Sequence, residues 1–446
     1  MTNKHLVILG NGITGITCAR HVRKRSNMKI TVISAETDYF FSRTALMYIY
    51  MGHMKYEHTK PYEDGFWEKN RINLVRGYVT QIDTDKKILL LEDGKKISYD
   101  ILLVSTGSKS NKFGWPGQDL PGVQGLYSLQ DVELMEENTR NINRAVIVGG
   151  GLIGIEVAEM LLSRQIPTTF LVREECYWDN ILPRDEASMI CHHIREHGIQ
   201  LYTHTNLKEI LAGPDGRVRA VVTEFDQEIP CQFVALTPGV HPNIDVVKNS
   251  KIAVNRGVLV NDYLETNIPD VYAAGDCAEI IVEPEDRRNR IEQLWYTGRM
   301  QGKAVAKNIC GEHTKYQRGI WFNSAKFLDI EYQTYGLVPN TPREGIKSFY
   351  WEHPEQRHAV HIVYKNGSEE VVGMHFFGIR MSHKVCENWI KKGCTVDYVV
   401  ENLRSANFDP EFYKQFEADI LQSYNRERGK NLRLKQRRGI FSRVFA

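Results

Sequence analysis

Two glycine clusters are the first residues in this chain whose types and spacing could do chemistry. Gly10-Asn11-Gly12-Ile13-Thr14-Gly15 and Gly149-Gly150-Gly151-Leu152-Ile153-Gly154 both read G-x-G-x-x-G, and they stand 139 residues apart. The first glycine of such a cluster (Gly10, Gly149) allows a tight turn. The second (Gly12, Gly151) lets backbone approach a pyrophosphate, and the third (Gly15, Gly154) lets a helix pack closely on a strand. A helix N-terminus behind the loop then faces the diphosphate with free N–H groups and a partial positive charge. The implied chemistry is dinucleotide binding, twice over.

The elements that must position these loops repeat as well. An apolar strand, Leu6-Val7-Ile8-Leu9, runs into the first cluster, and Ile16 to Val22 reads as a helix behind it. Ala145-Val146-Ile147-Val148 runs into the second, followed by a helix over Ile155 to Leu162. Each copy continues into another apolar strand: Ile30 to Ile33 with Glu36 beyond it, and Thr169 to Val172 with Arg173 and Glu174 beyond it. Two strand–glycine loop–helix–strand units predict an α/β fold with two Rossmann-like domains.

Composition bounds the rest. At roughly 150 residues per domain, 446 residues suggest about three domains. Hydrophobic residues make 42% and charged residues 25%, a globular balance that excludes collagen-like, disordered and disulfide-scaffold chains. No apolar run approaches the ~18 residues of a membrane span. The chain enters a strand at His5 without signal-peptide regions, so a cytoplasmic protein is expected. The eight cysteines are scattered, with no CxxC and no paired ligand spacing, so no metal site is expected. Lone histidines such as His241 and His375 are assigned to packing or the surface. Residues 426–446 carry a net +7 while the remainder carries −5, which sets a basic tail apart from a mildly acidic body.

A third motif, Thr266-Asn267-Ile268-Pro269-Asp270-Val271-Tyr272-Ala273-Ala274-Gly275-Asp276, resembles the second flavin motif of the pyridine-nucleotide-dependent FAD reductases, the glutathione-reductase-like superfamily. Leu102-Leu103-Val104-Ser105-Thr106-Gly107 and Val234-Ala235-Leu236-Thr237-Pro238-Gly239 resemble that family's two crossover motifs. The resemblance implies an FAD domain over 1–115 and 236–320, an NAD(P) domain over 116–235, and a C-terminal α+β interface domain over 321–425 ahead of the tail at 426–446. The interface domain reads as mixed α/β from its residues too. Ala359 to Tyr364 and Glu370 to Phe377 are strands flanking a Lys365-Asn366-Gly367 turn, and Val385 to Lys392 is a helix.

The stretch from Glu36 to Tyr48 is similar to the ferredoxin/rubredoxin reductase and nitrite-reductase flavin-domain branch. It holds no cysteine, and Thr44 stands where a related subgroup has its single one, so a disulfide reductase is disfavoured. The resemblance gives Glu36 the adenosine ribose of FAD, Arg43 an FAD phosphate, and Asp276 the ribityl chain. It assigns Thr106, Gly107 and Gly239 to the cofactor-binding crossovers and places Glu156 near both nicotinamide and flavin as the catalytic candidate. Tyr48 replaces the branch's usual Lys. Trp295 either lines the flavin face or fills the core. Arg173 suits a 2′-phosphate and Glu174 ribose hydroxyls, so the donor is NAD(P)H with a lean toward NADPH.

The implied activity is an FAD-dependent NAD(P)H oxidoreductase. Hydride passes from nicotinamide to flavin, and electrons then pass to an external acceptor, an iron–sulfur or rubredoxin-like protein. Two alternatives stay open: a peripheral membrane NADH:quinone reductase anchored on the inner membrane face by the tail, and a flavoprotein with a sensing or structural role. The tail, which mixes arginines with Ile440, Phe441, Val444 and Phe445, suits an anionic lipid surface, an acidic partner, or neither. Nucleic acid is disfavoured because the charge is confined to one end. A homodimer through the third domain is implied by the family.

Overall fold

Apolar runs buried on both faces favour parallel strands covered by helices, and two such sheets form here. The computed structural model describes residues 4–281, 290–408, 411–412 and 414–435. In the first sheet the strand order is Val271–Ala273, Ile101–Val104, His5–Leu9, Lys29–Ser34, Ile72–Arg76, and every pairing is parallel. The second repeats that order with Val123–Gln124, Phe233–Leu236, Ala145–Val148, Thr168–Leu171 and Gln200–Tyr202, again all parallel. The strand Val271–Ala273 belongs to the first sheet, so the chain leaves that unit, builds the second, and returns. In each sheet the strand feeding the glycine cluster is central and fully buried save for its ends.

The helices Ile13–Arg23 and Leu152–Ser163 follow the two clusters. Against the first packs Trp295–Ile309. Glycines let these two approach: a Cβ on Gly302 would meet the Thr14 carbonyl at 2.6 Å, and one on Gly298 the Thr14 hydroxyl at 2.8 Å.

A third sheet, antiparallel throughout, has the order Phe322–Phe327, Ile330–Gly336, Val371–Phe377, Ala359–Lys365, Ile346–Glu352. The strands and the turn expected around residue 366 are there, and the expected helix runs from His383 to Lys391. The mixed α/β class with parallel Rossmann-like units is therefore the observed one.

The basic tail does not begin where its charge pattern suggests. Helix Glu417–Arg428 runs straight through residue 426 and ends at Gly429 in the left-handed conformation. Leu432 and Leu434 then pack on the third core. Lys430 pairs with Asp397 at 2.6 Å, Lys435 with Glu401 at 2.6 Å, and Arg428 with Glu369. Residues 426–435 are thus part of the third unit, whereas Arg437, Arg438, Ile440, Phe441, Arg443, Val444 and Phe445 lie outside the described residues. No helix among the described residues is long and apolar enough to cross a membrane.

Candidate functional site

The three glycines of the first cluster do three different things. Gly10 has φ +112°, and a Cβ there would sit 2.2 Å from the Ser105 carbonyl. A Cβ on Gly15 would sit 2.1 Å from the Gly10 carbonyl, so that glycine sets the helix–strand approach. Gly12 is the N-cap of Ile13–Arg23 and has nothing within 4 Å of its Cβ position. Its bare face opens on a cavity of about 850 Å³.

That cavity collects most of the residues singled out from the sequence. Gly10, Gly12, Glu36, Arg43, Thr106 and Gly107 line it, as do Asp276, Trp295 and Glu156. Glu36 and Arg43 face each other as a two-armed ion pair, 2.9 Å and 2.5 Å between heavy atoms. Thr106 donates to the Asn243 carbonyl at 2.5 Å, and Gly107, at φ +74°, accepts from the Asn243 amide at 2.9 Å. Asp276 is sunk in the wall. It accepts hydrogen bonds from Ser108 Oγ (3.1 Å) and the Tyr127 hydroxyl (3.3 Å), and burial raises its carboxyl above the ordinary range. Trp295 stands at the N-terminus of its helix with the Arg299 guanidinium 5.5 Å over its ring. Of its two readings the structure gives it a place in the cavity wall. Thr44 lines the cavity as well; none of the eight cysteines does. Tyr48 does not reach it and stacks on His53 instead, ring centroids 6.2 Å apart.

The second cluster repeats the geometry of the first. Gly149 has φ +119°, with a Cβ position 2.7 Å from the Thr237 carbonyl. Gly151 is an N-cap with open space at its Cβ position, and a Cβ on Gly154 would meet the Gly149 carbonyl at 2.8 Å. Gly149, Gly151, Gly154 and Gly239 do not line the cavity, but Ile153 and Glu156 of the same helix do. Gly239 sits at the second crossover, where Val240–Pro242 pairs antiparallel with Ser108–Ser110 and ties the crossovers together. Glu156 is accessible along the wall, yet protein crowds its carboxyl on most sides. That crowding, with Glu159 on the same helix, pushes it up to about 7. Arg173 and Glu174 stand just past the strand Thr168–Leu171, outside the cavity, joined by a 2.7 Å hydrogen bond from Arg173 Nε. Arg173 is exposed and Glu174 better covered.

Two residues of the site escape sequence reasoning. Tyr127 lies under the Arg43 guanidinium, 4.5 Å from ring centre to carbon. Its hydroxyl accepts from the Ser108 amide (2.9 Å) and donates to Asp276, so it joins the first crossover to the third motif. Tyr177 is fully buried and donates to the Gly151 carbonyl at 2.6 Å, holding the second glycine loop from behind. Neither belongs to a motif; only the packing identifies them.

Residues 4–302 match the family described as pyridine nucleotide-disulphide oxidoreductase. The chain belongs to this family. It is 30% identical over 341 residues to the NADH-rubredoxin oxidoreductase of Clostridium acetobutylicum, covering 76% of this chain and 83% of that protein. To a ferredoxin–NAD(P)(+) reductase of Sphingomonas sp it is 29% identical, covering 76% and 83%. In fold it is similar to an NAD-dependent persulfide reductase from A. fulgidus, with a TM-score of 0.81 at 22% identity over 95% of this chain and 84% of that one. The chain is an oxidoreductase with FAD as cofactor and NAD(P)H as co-substrate. The cradle at Gly12, which any side chain would fill, and the half-buried acceptor Asp276 both fit FAD.

Proposed function

We propose that this chain takes hydride from NAD(P)H at FAD and delivers the electrons to a small iron–sulfur or rubredoxin-like protein. One observation carries the reading: a single cavity runs from the glycine loop of the first nucleotide unit to Ile153 and Glu156 on the helix of the second. Two dinucleotides lying on those two loops would meet there. When bound, FAD supplies hydride acceptance and release of electrons one at a time. The protein's part is to bind, orient and exclude water. The N–H groups at Gly12 and at Gly151 take the two diphosphates. Arg43 and Glu36 exchange part of their mutual pairing for phosphate and ribose, and Asp276 accepts from a sugar-chain hydroxyl. Leu46, Met47 and Trp295 give the wall apolar surface. Glu156, its carboxyl pushed up to about 7 on the cavity wall, would take up or release a proton near neutral pH. Arg173 turned outward and Glu174 beside it leave both nicotinamide nucleotides acceptable, with Arg173 favouring the 2′-phosphate.

A protein acceptor accords with the relatives that are named for rubredoxin and ferredoxin. The test is anaerobic titration of the purified flavoprotein with NADPH and with NADH. The flavin band should bleach with at least one. A flavin that stays oxidised with both would refute the reading, and full reduction without turnover on any redox-protein acceptor would refute its second half.

A further inference from the structure

On the far side of the second nucleotide unit lies a cluster that the oxidoreductase reading leaves unused. His193 and His197 are one helical turn apart at the end of helix Arg184–Glu196, so their rings share a face. Asp329, in the turn between strands Phe322–Phe327 and Ile330–Gly336, meets them from the third sheet. Its Oδ1 lies 2.5 Å from His193 Nε2 and 3.4 Å from His197 Nε2. One ligand atom from each of the three residues falls within 4.8 Å of the others.

The hydrogen bonding makes this more than proximity. His197 Nδ1 lies 2.9 Å from the His193 carbonyl, which can only accept, so Nδ1 carries the proton. In the neutral ring Nε2 is then a lone pair pointing at a carboxylate oxygen, acceptor against acceptor. His193 is fully buried, and its Nδ1 has no hydrogen-bond partner; the nearest charged atom is Glu196 Oε2 at 3.6 Å. Two imidazoles and a carboxylate converging on one point are a donor set for a borderline divalent metal. An Nδ1–H bonded to a backbone carbonyl is the usual way a ligating histidine is oriented.

We propose that His193 Nε2, His197 Nε2 and Asp329 Oδ1 bind a divalent transition-metal ion of the Zn²⁺ class, with a fourth position open to water. Tetrahedral bonds of about 2.0–2.1 Å hold neighbouring donors about 3.3 Å apart. The His193–Asp329 contact therefore opens by less than about 1 Å, within reach of the half-exposed Asp329 side chain. Arg357 now approaches the same carboxylates, 3.6 Å from Asp329 and 3.7 Å from Glu196. Half exposed, it swings aside and competes with the ion. The ion would pin the second nucleotide unit to the third sheet. It would serve structure rather than electron transfer, because none of the three residues lines the cavity.

The test uses the full-length flavoprotein, treated with a chelator and titrated calorimetrically with Zn²⁺, alongside His197→Ala, Asp329→Asn and His353→Ala. The last variant disrupts a second grouping, His353, Glu355 and His358, on the neighbouring hairpin. The wild type and His353→Ala should bind one equivalent, and His197→Ala and Asp329→Asn should bind at least tenfold more weakly. Zn²⁺ should raise the thermal midpoint of the first pair and not of the second, because the ion binds the folded state. Absence of saturable binding in the wild type, undiminished binding in both His197→Ala and Asp329→Asn, or loss confined to His353→Ala would each overturn the proposal.

Discussion

Replacing Gly12 by alanine should separate cofactor binding from folding. Gly12 has φ −68° and ψ −177°, which alanine adopts freely, and no atom lies within 4 Å of the new methyl group. Alanine is a poorer N-cap than glycine by about 0.5–1 kcal/mol. The restricted unfolded chain returns about 0.4–1 kcal/mol. The two nearly cancel, so the thermal midpoint of the flavin-free protein should move by no more than about 2 °C. The methyl group nevertheless stands where the diphosphate must approach backbone. Losing one charge-assisted hydrogen bond there costs about 1.5–3 kcal/mol, or about 10–100-fold in FAD affinity. Gly15→Ala makes the contrast. Its methyl group would lie 2.1 Å from the Gly10 carbonyl and 2.9 Å from Ser105 Oγ, so the helix must shift, at a cost of about 1–3 kcal/mol. The assay is the ratio of flavin to protein absorbance after purification, together with circular dichroism melting of the flavin-free forms. Full flavin retention and unchanged FAD affinity in Gly12→Ala would refute the placement of the diphosphate on this loop.

Three further variants test other parts of the structure. Glu156→Gln should abolish any ionisation near pH 7 in the rate of flavin reduction. Because burial raises this carboxyl from 4.5 to about 7, the native state holds a proton that the unfolded chain has released, and wild-type stability falls as pH rises between those values. The variant's melting advantage should therefore appear above pH 7 and vanish below about 4.5; a pH-independent difference would remove Glu156 from this environment. Arg173→Glu should move the NADPH/NADH ratio of kcat/KM toward NADH by about tenfold or more, the equivalent of one lost charge-assisted contact of about 1.5–3 kcal/mol; an unchanged ratio takes Arg173 out of the site. Glu186 is fully buried and bonded to His361 (2.7 Å) and His375 (2.8 Å). Burial alone would raise its carboxyl, but the two rings outweigh this and hold it below its ordinary range. Its contribution is therefore present above about pH 4.5 and lost as the solution is acidified further. Glu186→Ala should cost about 3–5 kcal/mol in urea unfolding at pH 7, and a loss under 1 kcal/mol would show that the network contributes little.

Much of the architecture is legible because the glycine clusters are local. Cap and helix approach are set by residues within six positions, so Gly12 and Gly15 predict their own geometry and Gly151 and Gly154 repeat it, whereas Gly10 and Gly149 also face the distant carbonyls of Ser105 and Thr237. The strands Ala359–Lys365 and Val371–Phe377 are legible for the same reason, with their turn between them. What is not legible depends on distant chain. Tyr127 acts through Asp276, 149 positions away. His193 meets Asp329 across 136, and His375, assigned to packing or the surface from sequence, anchors Glu186 across 189. Charge patterning misleads at the tail for a related reason. A run of arginines and lysines carries no mark of the acids that will face it, and Glu369, Asp397 and Glu401 all lie earlier in the chain.

The same pairing decides what the tail can contribute to electron delivery. A basic arm steers an acidic partner only with charge that faces solvent unneutralised. Arg428, Lys430 and Lys435 are paired with acids of the third unit, whereas Arg426 and Arg433 are exposed to solvent. Within the cavity, the wall position at which the family resemblance would put a thiol is taken by Thr44, whose hydroxyl lies 3.1 Å from Ser42 Oγ. A hydroxyl there cannot shuttle electrons. None of the eight cysteines lines the cavity, so its wall offers no thiol relay. A redox-protein acceptor accords with relatives that are named for rubredoxin and ferredoxin.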